Sequence, residues 1–113
     1  MTQTFTITPP PSANKLWKPV GYKLVKTDAY KRWSRKAGWE VKLGRNGHET
    51  LTGPVAVSIS LRRPRSNADL DNRVKPVVDA LQAGGAIAND KQVETILATW
   101  ADHDGCRVKV SAA

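Results

Sequence analysis

Apolar residues recur with a helical period in two segments of the chain. In the first segment they lie at Tyr30, Trp33, Ala37 and Val41. In the second they lie at Val74, Val77, Val78 and Leu81. Spacings of three and four residues place each set on one face of a helix that can be buried against a core. The first helix is expected to begin after Thr27 and to end near Leu43, and the second is expected to end at Gly84-Gly85.

Alternation of apolar and polar residues predicts strands at 4–8 and 55–61, and the segments 93–100 and 106–110 are also predicted to be strands. The sequence Asp102-His103-Asp104-Gly105 is typical of a tight turn, so the last two strands are expected to form a hairpin. Strands and helices mixed in this order predict an α+β fold, with a small mixed or mostly antiparallel sheet and two main helices on one face. The length of 113 residues predicts a single domain, 1–113.

The charge of the chain is strongly positive and unevenly distributed. The net charge is +8; residues 1–50 hold ten Lys or Arg and three acids, whereas residues 51–113 hold eight and seven. Such a charge indicates an anionic partner, with nucleic acid favoured over an anionic membrane. No apolar run is long enough to span a bilayer, no secretory signal is recognisable, and a single cysteine excludes an internal disulfide, so a cytoplasmic protein is expected.

Three aspartates stand out near the second helix: Asp69, Asp71 and Asp90. Carboxylate oxygens without thiol or imidazole neighbours suit Mg²⁺ or Mn²⁺ and not zinc. The alternative is that Asp69 and Asp71 cap the helix, which for any one aspartate is the more common role. Lys75 shares a helical face with Asp71 and is placed to act on a phosphate, although an ion pair with Asp71 or Asp79 explains it equally well. Asp79 is interpreted as structural.

Basic residues precede these aspartates in three groups that are expected to contact phosphates: Lys15 and Lys18, then Lys31, Arg32, Arg35 and Lys36, then Arg62, Arg63 and Arg65. The aromatic residues between the first lysines, Trp17 and Tyr22, suit either base stacking or packing on the core, and the core is slightly favoured. His48 and His103 are expected to be turn residues and not ligands.

The combined pattern D-L-D-N-x-x-K at 69–75, D-A-L at 79–81 and N-D-K-Q-V at 89–93 resembles the RusA family of Holliday junction resolvases. The resemblance extends to the strand that leads into P-P-P-S-x-N at 9–14. It implies a Mg²⁺-dependent homodimer, from a bacterial or phage-infected cell, that cuts four-way DNA junctions symmetrically. Asp69, Asp71 and Asp90 would then be the metal ligands, Lys75 would assist catalysis, and Asn72 would lie at the DNA. Neither a small-molecule cofactor nor a membrane is expected to be a partner.

Two other functions remain open from the residues. One is a small metal-dependent nucleotidyltransferase with Asp69 and Asp71 on a strand, although the Gly-Ser loop that usually holds its triphosphate is missing. The other is a non-catalytic basic DNA-binding module in which the aspartates only cap a helix.

Overall fold

The structure, a computed structural model, describes residues 2–11, 17–64 and 68–113. Within them the strands are β1 Thr2–Ile7, β2 Trp17–Val20, β3 Lys23–Lys26, β4 Val55–Leu61, β5 Val93–Trp100 and β6 Cys106–Ala112. The helices are α1 Asp28–Gly44 and α2 Val74–Ala83, and short 3₁₀ turns cover Asp71–Arg73 and Asp90–Gln92. The predicted α+β class is confirmed, and the strands predicted at 55–61 and 93–100 have the predicted bounds.

Four strands form one mixed sheet in the order β1-β6-β4-β5. Strands β4 and β5 are parallel, whereas β6 is antiparallel to both β1 and β4. Alternate residues of β4 are buried, as are their counterparts on β1 and β6, and they form the core together with the apolar faces of α1 and α2. The helices therefore cover one face of the sheet, as predicted.

The predicted hairpin between the last two strands is wrong, because β4 lies between β5 and β6. The loop at 101–105 instead crosses the end of β4, where the Ala101 amide donates to the Leu61 carbonyl oxygen over 2.8 Å. Ser60 Oγ lies 2.9 Å from His103 Nε2 in the same loop. A turn of this composition joins strands that are adjacent or one strand apart equally well. Strand β4 pairs along both of its edges, with β5 and with β6, whereas β5 is left at the edge of the sheet.

Helix α1 follows the prediction closely. Thr27 is its N-cap, and the Thr27 hydroxyl accepts a hydrogen bond of 3.2 Å from the Tyr30 amide. Tyr30, Trp33, Ala37 and Val41 are buried, and the predicted basic residues lie exposed on the other side. Trp33 Nε1 donates to the Thr8 carbonyl oxygen over 2.9 Å, which fixes the segment that follows β1 against this helix.

Helix α2 packs closely on α1 and ends in a sharp turn. A Cβ atom built on Gly84 would lie 2.6 Å from the Gly38 carbonyl oxygen. The end of α2 therefore approaches α1 closely at two residues that have no side chain. Gly85 has a left-handed φ of 80°. The Ala86 amide then donates to the Leu81 carbonyl oxygen over 2.9 Å, and the turn is a Schellman motif that confirms the predicted helix end. The chain leaves it toward Asp90.

Strands β2 and β3 form a separate antiparallel hairpin that the sequence pattern did not predict. The core position favoured for Trp17 and Tyr22 is wrong, because Trp17 is 44 % exposed and Tyr22 is fully exposed. An aromatic side chain does not indicate burial here, because the two-stranded sheet has no second layer of structure that would cover it. Within the described ranges, no helix combines the length and the apolar character needed to cross a bilayer.

Candidate active site

The start of α2 carries the first two aspartates, and neither helix start there has a side-chain cap. Asp71 begins the 3₁₀ turn, and the positions that precede this turn and α2 are occupied by Leu70 and Arg73, with no side-chain capping hydrogen bond. Asp69 instead accepts a hydrogen bond of 3.1 Å from the side-chain amide of Asn72. The side-chain capping explanation for this pair is therefore wrong: Asp71 lies in the 3₁₀ turn that precedes the first turn of α2, and Asp69 lies before that 3₁₀ turn.

Lys75 lies between two carboxylates. Its Nζ is 2.8 Å from Asp79 Oδ1, one helical turn along α2, and 3.6 Å from Asp90 Oδ2, on the loop that returns beside the helix. The hydrogen bond with Asp79 is the main reason why the pKa of Lys75 is raised above its ordinary value, and Asp90 adds to it. The ammonium group is therefore charged at neutral pH, while the side chain remains 69 % exposed and accessible to a substrate.

Asp79 is held from the other helix as well. The Tyr30 hydroxyl donates to Asp79 Oδ2 over 3.1 Å, so the two oxygens of this carboxylate have separate donors on α1 and α2. Burial and the negative charge of Asp79 raise the pKa of Tyr30 to about 12, which keeps its proton in place. Asp79 thus joins α1 to α2 through Tyr30 and also holds Lys75, a contact that the interpretation of Asp79 as structural did not include.

Asp90 lies in a turn that two amide side chains hold. Asn89 Oδ1 accepts from the Lys91 amide over 2.9 Å, and Gln92 Oε1 accepts from the Ala88 and Asn89 amides over 2.7 and 2.8 Å. Gln92 Nε2 donates to the carbonyl oxygens of Leu51 and Gly53, both at 2.8 Å. The two hydrogen bonds from Gln92 to Leu51 and Gly53 are the anchor of this turn. The capping box and the anchor explain why asparagine and glutamine flank the aspartate in the sequence.

The structure thus brings Lys75 together with Asp90, and Asp69 with Asn72. In the part of the chain that is described, no three His, Cys, Asp or Glu side chains are close enough to form a metal cluster. The assignment of Asp69, Asp71 and Asp90 as metal ligands remains a prediction. Asp69 and Asp71 lie on a turn and not on a strand, which removes the geometry expected for a nucleotidyltransferase.

The predicted phosphate contacts have different surroundings. Lys18, Lys31, Arg32, Arg35 and Lys36 are exposed, and so is Arg63, whose guanidinium lies 5.2 Å from the centre of the Trp100 ring. Arg62 is paired with Asp102 at 3.1 Å and with Asp104 at 3.3 Å, so its charge is offset locally. Lys15 and Arg65 lie outside the described residues. Cys106 is buried, and burial raises the pKa of its thiol to about 12, so it is no nucleophile.

Comparison with known proteins agrees with the pattern of these residues. Residues 6–111 match the family described as endodeoxyribonuclease RusA. The chain belongs to the RusA family of endodeoxyribonucleases. It is also 28 % identical over 106 residues to a crossover junction endodeoxyribonuclease RusA of Aquifex aeolicus strain VF5, an alignment that covers 90 % of this chain and 83 % of that protein. Membership of this family makes the chain a nuclease, and the non-catalytic DNA-binding module is set aside.

The contacts of two residues at the candidate site were not predicted from the sequence. Tyr30 was placed correctly on the buried face of α1, but nothing in its spacing indicates that its hydroxyl reaches a carboxylate 49 positions later. Gln92 forms part of the N-D-K-Q-V run, yet its hydrogen bonds to Leu51 and Gly53 join segments that are distant in the chain. A polar residue at a fixed offset from Asp90 was the only available signal.

The anchor of the Asp90 turn predicts the effect of replacing Gln92. Gln92→Ala removes four hydrogen bonds from the turn, and we expect DNA cleavage to fall roughly 10- to 100-fold, as for other residues that orient a ligand from behind. Single-turnover cleavage assays measure this effect. Gln92→Glu is the matched variant, because it keeps the acceptors for Ala88 and Asn89 and loses only the donors to Leu51 and Gly53. Its rate should lie between the two, and wild-type cleavage by Gln92→Ala would show that the anchor does not position Asp90.

Proposed function

We propose that this chain is a Mg²⁺-dependent nuclease that resolves four-way DNA junctions by paired, symmetric cuts. The observation that carries the proposal is the charged face of α2, where Lys75 lies between the carboxylates of Asp79 and Asp90 and where Asp69 and Asp71 lie in the segment that leads into the same helix. Nucleases of this family are in general metal-dependent, and the relative from Aquifex aeolicus is named for crossover junctions.

The donor set fits a hard divalent cation. Asp69, Asp71 and Asp90 would hold it, since they supply carboxylate oxygens and the surroundings supply no thiolate. Asp79 and Asp90 already converge on a positive charge, the Lys75 ammonium, at 2.8 and 3.6 Å. When bound, the cation supplies an activated water and offsets the charge on the phosphate. Mn²⁺ takes the same oxygen ligands and is a possible substitute.

Lys75 is proposed to stabilise the charge that develops on the phosphate during hydrolysis. Asp79 and Tyr30 keep the ammonium on the exposed side of α2, and the raised pKa keeps it protonated throughout the neutral range. The hydrogen bond to Asp79 does not compete with this role, because an ammonium group has three donors. The ion pair and the catalytic contact therefore belong to the same arrangement.

The basic face of α1 is proposed to bind the DNA backbone. The helix that donates a hydrogen bond to Asp79 through Tyr30 also exposes four basic residues, Lys31, Arg32, Arg35 and Lys36. Such contacts contribute affinity in a salt-dependent way and position the DNA without reading its sequence.

The working unit is proposed to be a homodimer of this single-domain chain. Resolution needs two cuts on strands of like polarity, and one chain provides one set of Asp69, Asp71, Asp90 and Lys75. A two-fold symmetric dimer places two such sets in equivalent positions on a junction that itself has two-fold symmetry.

The metal proposal predicts the behaviour of three variants. Asp69→Asn, Asp71→Asn and Asp90→Asn should each abolish cleavage of a synthetic four-way junction in Mg²⁺ while junction binding stays equal or becomes tighter. Each amide removes a ligand charge and also a repulsion toward phosphate. Denaturing gels with and without Mg²⁺ measure cleavage, and mobility shifts measure binding. Glu94→Gln, which removes an exposed carboxylate on β5, is the control. Wild-type cleavage by any of the three would remove that aspartate from the site.

A second prediction separates Lys75 from Asp79. Lys75→Ala should lower the single-turnover rate far more than the affinity, since the charge acts mainly in the transition state. Asp79→Asn removes the main cause of the raised Lys75 pKa, so the alkaline fall of the rate should begin at a lower pH. Lys42→Ala, on the outer side of α1, is the control. An alkaline limb that does not move in Asp79→Asn would show that Asp79 does not tune Lys75.

The dimer is tested with mixed chains. Wild-type and Asp71→Asn chains, mixed and re-equilibrated, should form heterodimers that nick one strand but rarely release two duplexes, because one of the two sites is inactive. Nicked and resolved products are separated on native and denaturing gels. Paired cuts by a protein that sediments as a monomer on the junction would contradict the dimer.

A further inference from the structure

The hairpin formed by β2 and β3, residues 17–26, is named here the arm. Nine of its ten residues are exposed and Val25 is half-buried. Its tip is a two-residue turn in which Gly21 has a left-handed φ of 62° and Tyr22 follows, fully exposed. Glycine at the first turn position and the strand twist on either side are typical of a tight β-hairpin. The arm is therefore a defined element that presents an aromatic ring at its end.

The base of the arm lies at the proposed active site. Trp17 packs edge-on against Tyr30 with the ring centres 5.9 Å apart, and Lys26 Nζ lies 5.2 Å from the centre of the same ring. Tyr30 is the residue whose hydroxyl holds Asp79. Lys26 and Asp79 also line one cavity of about 330 Å³, together with Gln82 and Ala83. The arm thus contacts Tyr30, whose hydroxyl holds the carboxylate that pairs with Lys75.

The charge of the arm selects the class of partner. Residues 17–26 contain three lysines and no acid. The strand register places Lys18 opposite Val25 and Lys23 opposite Val20, so both lysines lie on the same face of the hairpin. Two identical arms would repel one another, whereas a polyanion would be attracted. Lysines next to an exposed aromatic ring form the combination that binds phosphates and stacks on a base.

From these observations we infer that the arm binds the branch point of a DNA junction. Tyr22 stacks on a base, and Lys18 and Lys23 contact phosphates. This inference rests on the proposed function. In a continuous duplex every base pair is covered by its neighbours, and exposing one costs unstacking energy. Where the four duplexes of a junction meet, base stacking is interrupted, and the exposed face of a base can stack on an aromatic ring. The arm would therefore favour junctions over linear DNA.

The test compares binding to a fluorescent four-way junction with binding to a linear duplex of the same sequence, in buffer without divalent cations. Tyr22→Ala should weaken junction binding about 5- to 150-fold, the range for loss of one stacked base, and change duplex binding less than about twofold. Tyr22→Phe keeps the ring and should bind like the wild type. Lys23→Ala should weaken both complexes and lower the salt slope by about one, whereas the control Lys109→Ala on β6 should leave both unchanged.

The possible results distinguish the arm from the proposed function. If Tyr22→Ala binds the junction with wild-type affinity, or loses the same affinity for junction and duplex, the role inferred for the arm is wrong. The proposed junction cleavage is not affected by that result. A change of sedimentation in Tyr22→Ala without a change of DNA affinity would assign the arm to self-association and overturn the inference. A wild-type chain that shows no preference for the junction would contradict the proposed function and the arm together. Because Tyr22 is fully exposed, its replacement leaves the fold intact, and circular dichroism checks this.

Discussion

Burial of the apolar face of α2 is the constraint on which the site depends. Val77 and Leu81 are fully buried, and their contacts fix the rotation of the helix on the core. Because residues four apart share one face of a helix, Lys75 and Asp79 then lie together on the outer side of α2. The approach of α1 at Gly38 and Gly84 sets the distance over which Tyr30 reaches Asp79. The polar arrangement is therefore a consequence of apolar packing, and a change in the helix contact would alter the site without touching any charged residue.

The fold was predictable wherever one periodicity dominated. Helix α1 with its Thr27 cap and strand β4 follow from helical spacing and alternation, because each of these elements buries one face. The order of strands was not predictable, since β4 enters between β5 and β6 through contacts that no local pattern records. The arm was missed for a related reason: a hairpin with both faces in solvent has no alternation of burial for a sequence pattern to reflect.

The candidate site divides in the same way. Asp69, Asp71, Lys75 and Asp90 were recognisable as a set because their spacing carries the resemblance to the RusA family, to which the chain belongs. The residues that support them were not, since the hydroxyl of Tyr30 and the amide of Gln92 act across 49 and 41 positions of the chain. The capping role considered for Asp69 and Asp71 failed because the 3₁₀ turn before α2 begins without a side-chain acceptor. Local rules describe helix starts well and long-range hydrogen bonds poorly.

Strand β5 has a consequence of a different kind. It forms one edge of the sheet, its residues from Thr95 to Trp100 carry no charge, and Ile96 and Leu97 are 43 % and 63 % exposed. An edge of this length and composition is a template for any extended apolar segment, its own copies included. Charge repulsion opposes such pairing, because a net charge of +8 disfavours uncontrolled association of chains. Polyanions that neutralise this charge would therefore remove the protection of the edge at the same moment as they occupy the basic surface.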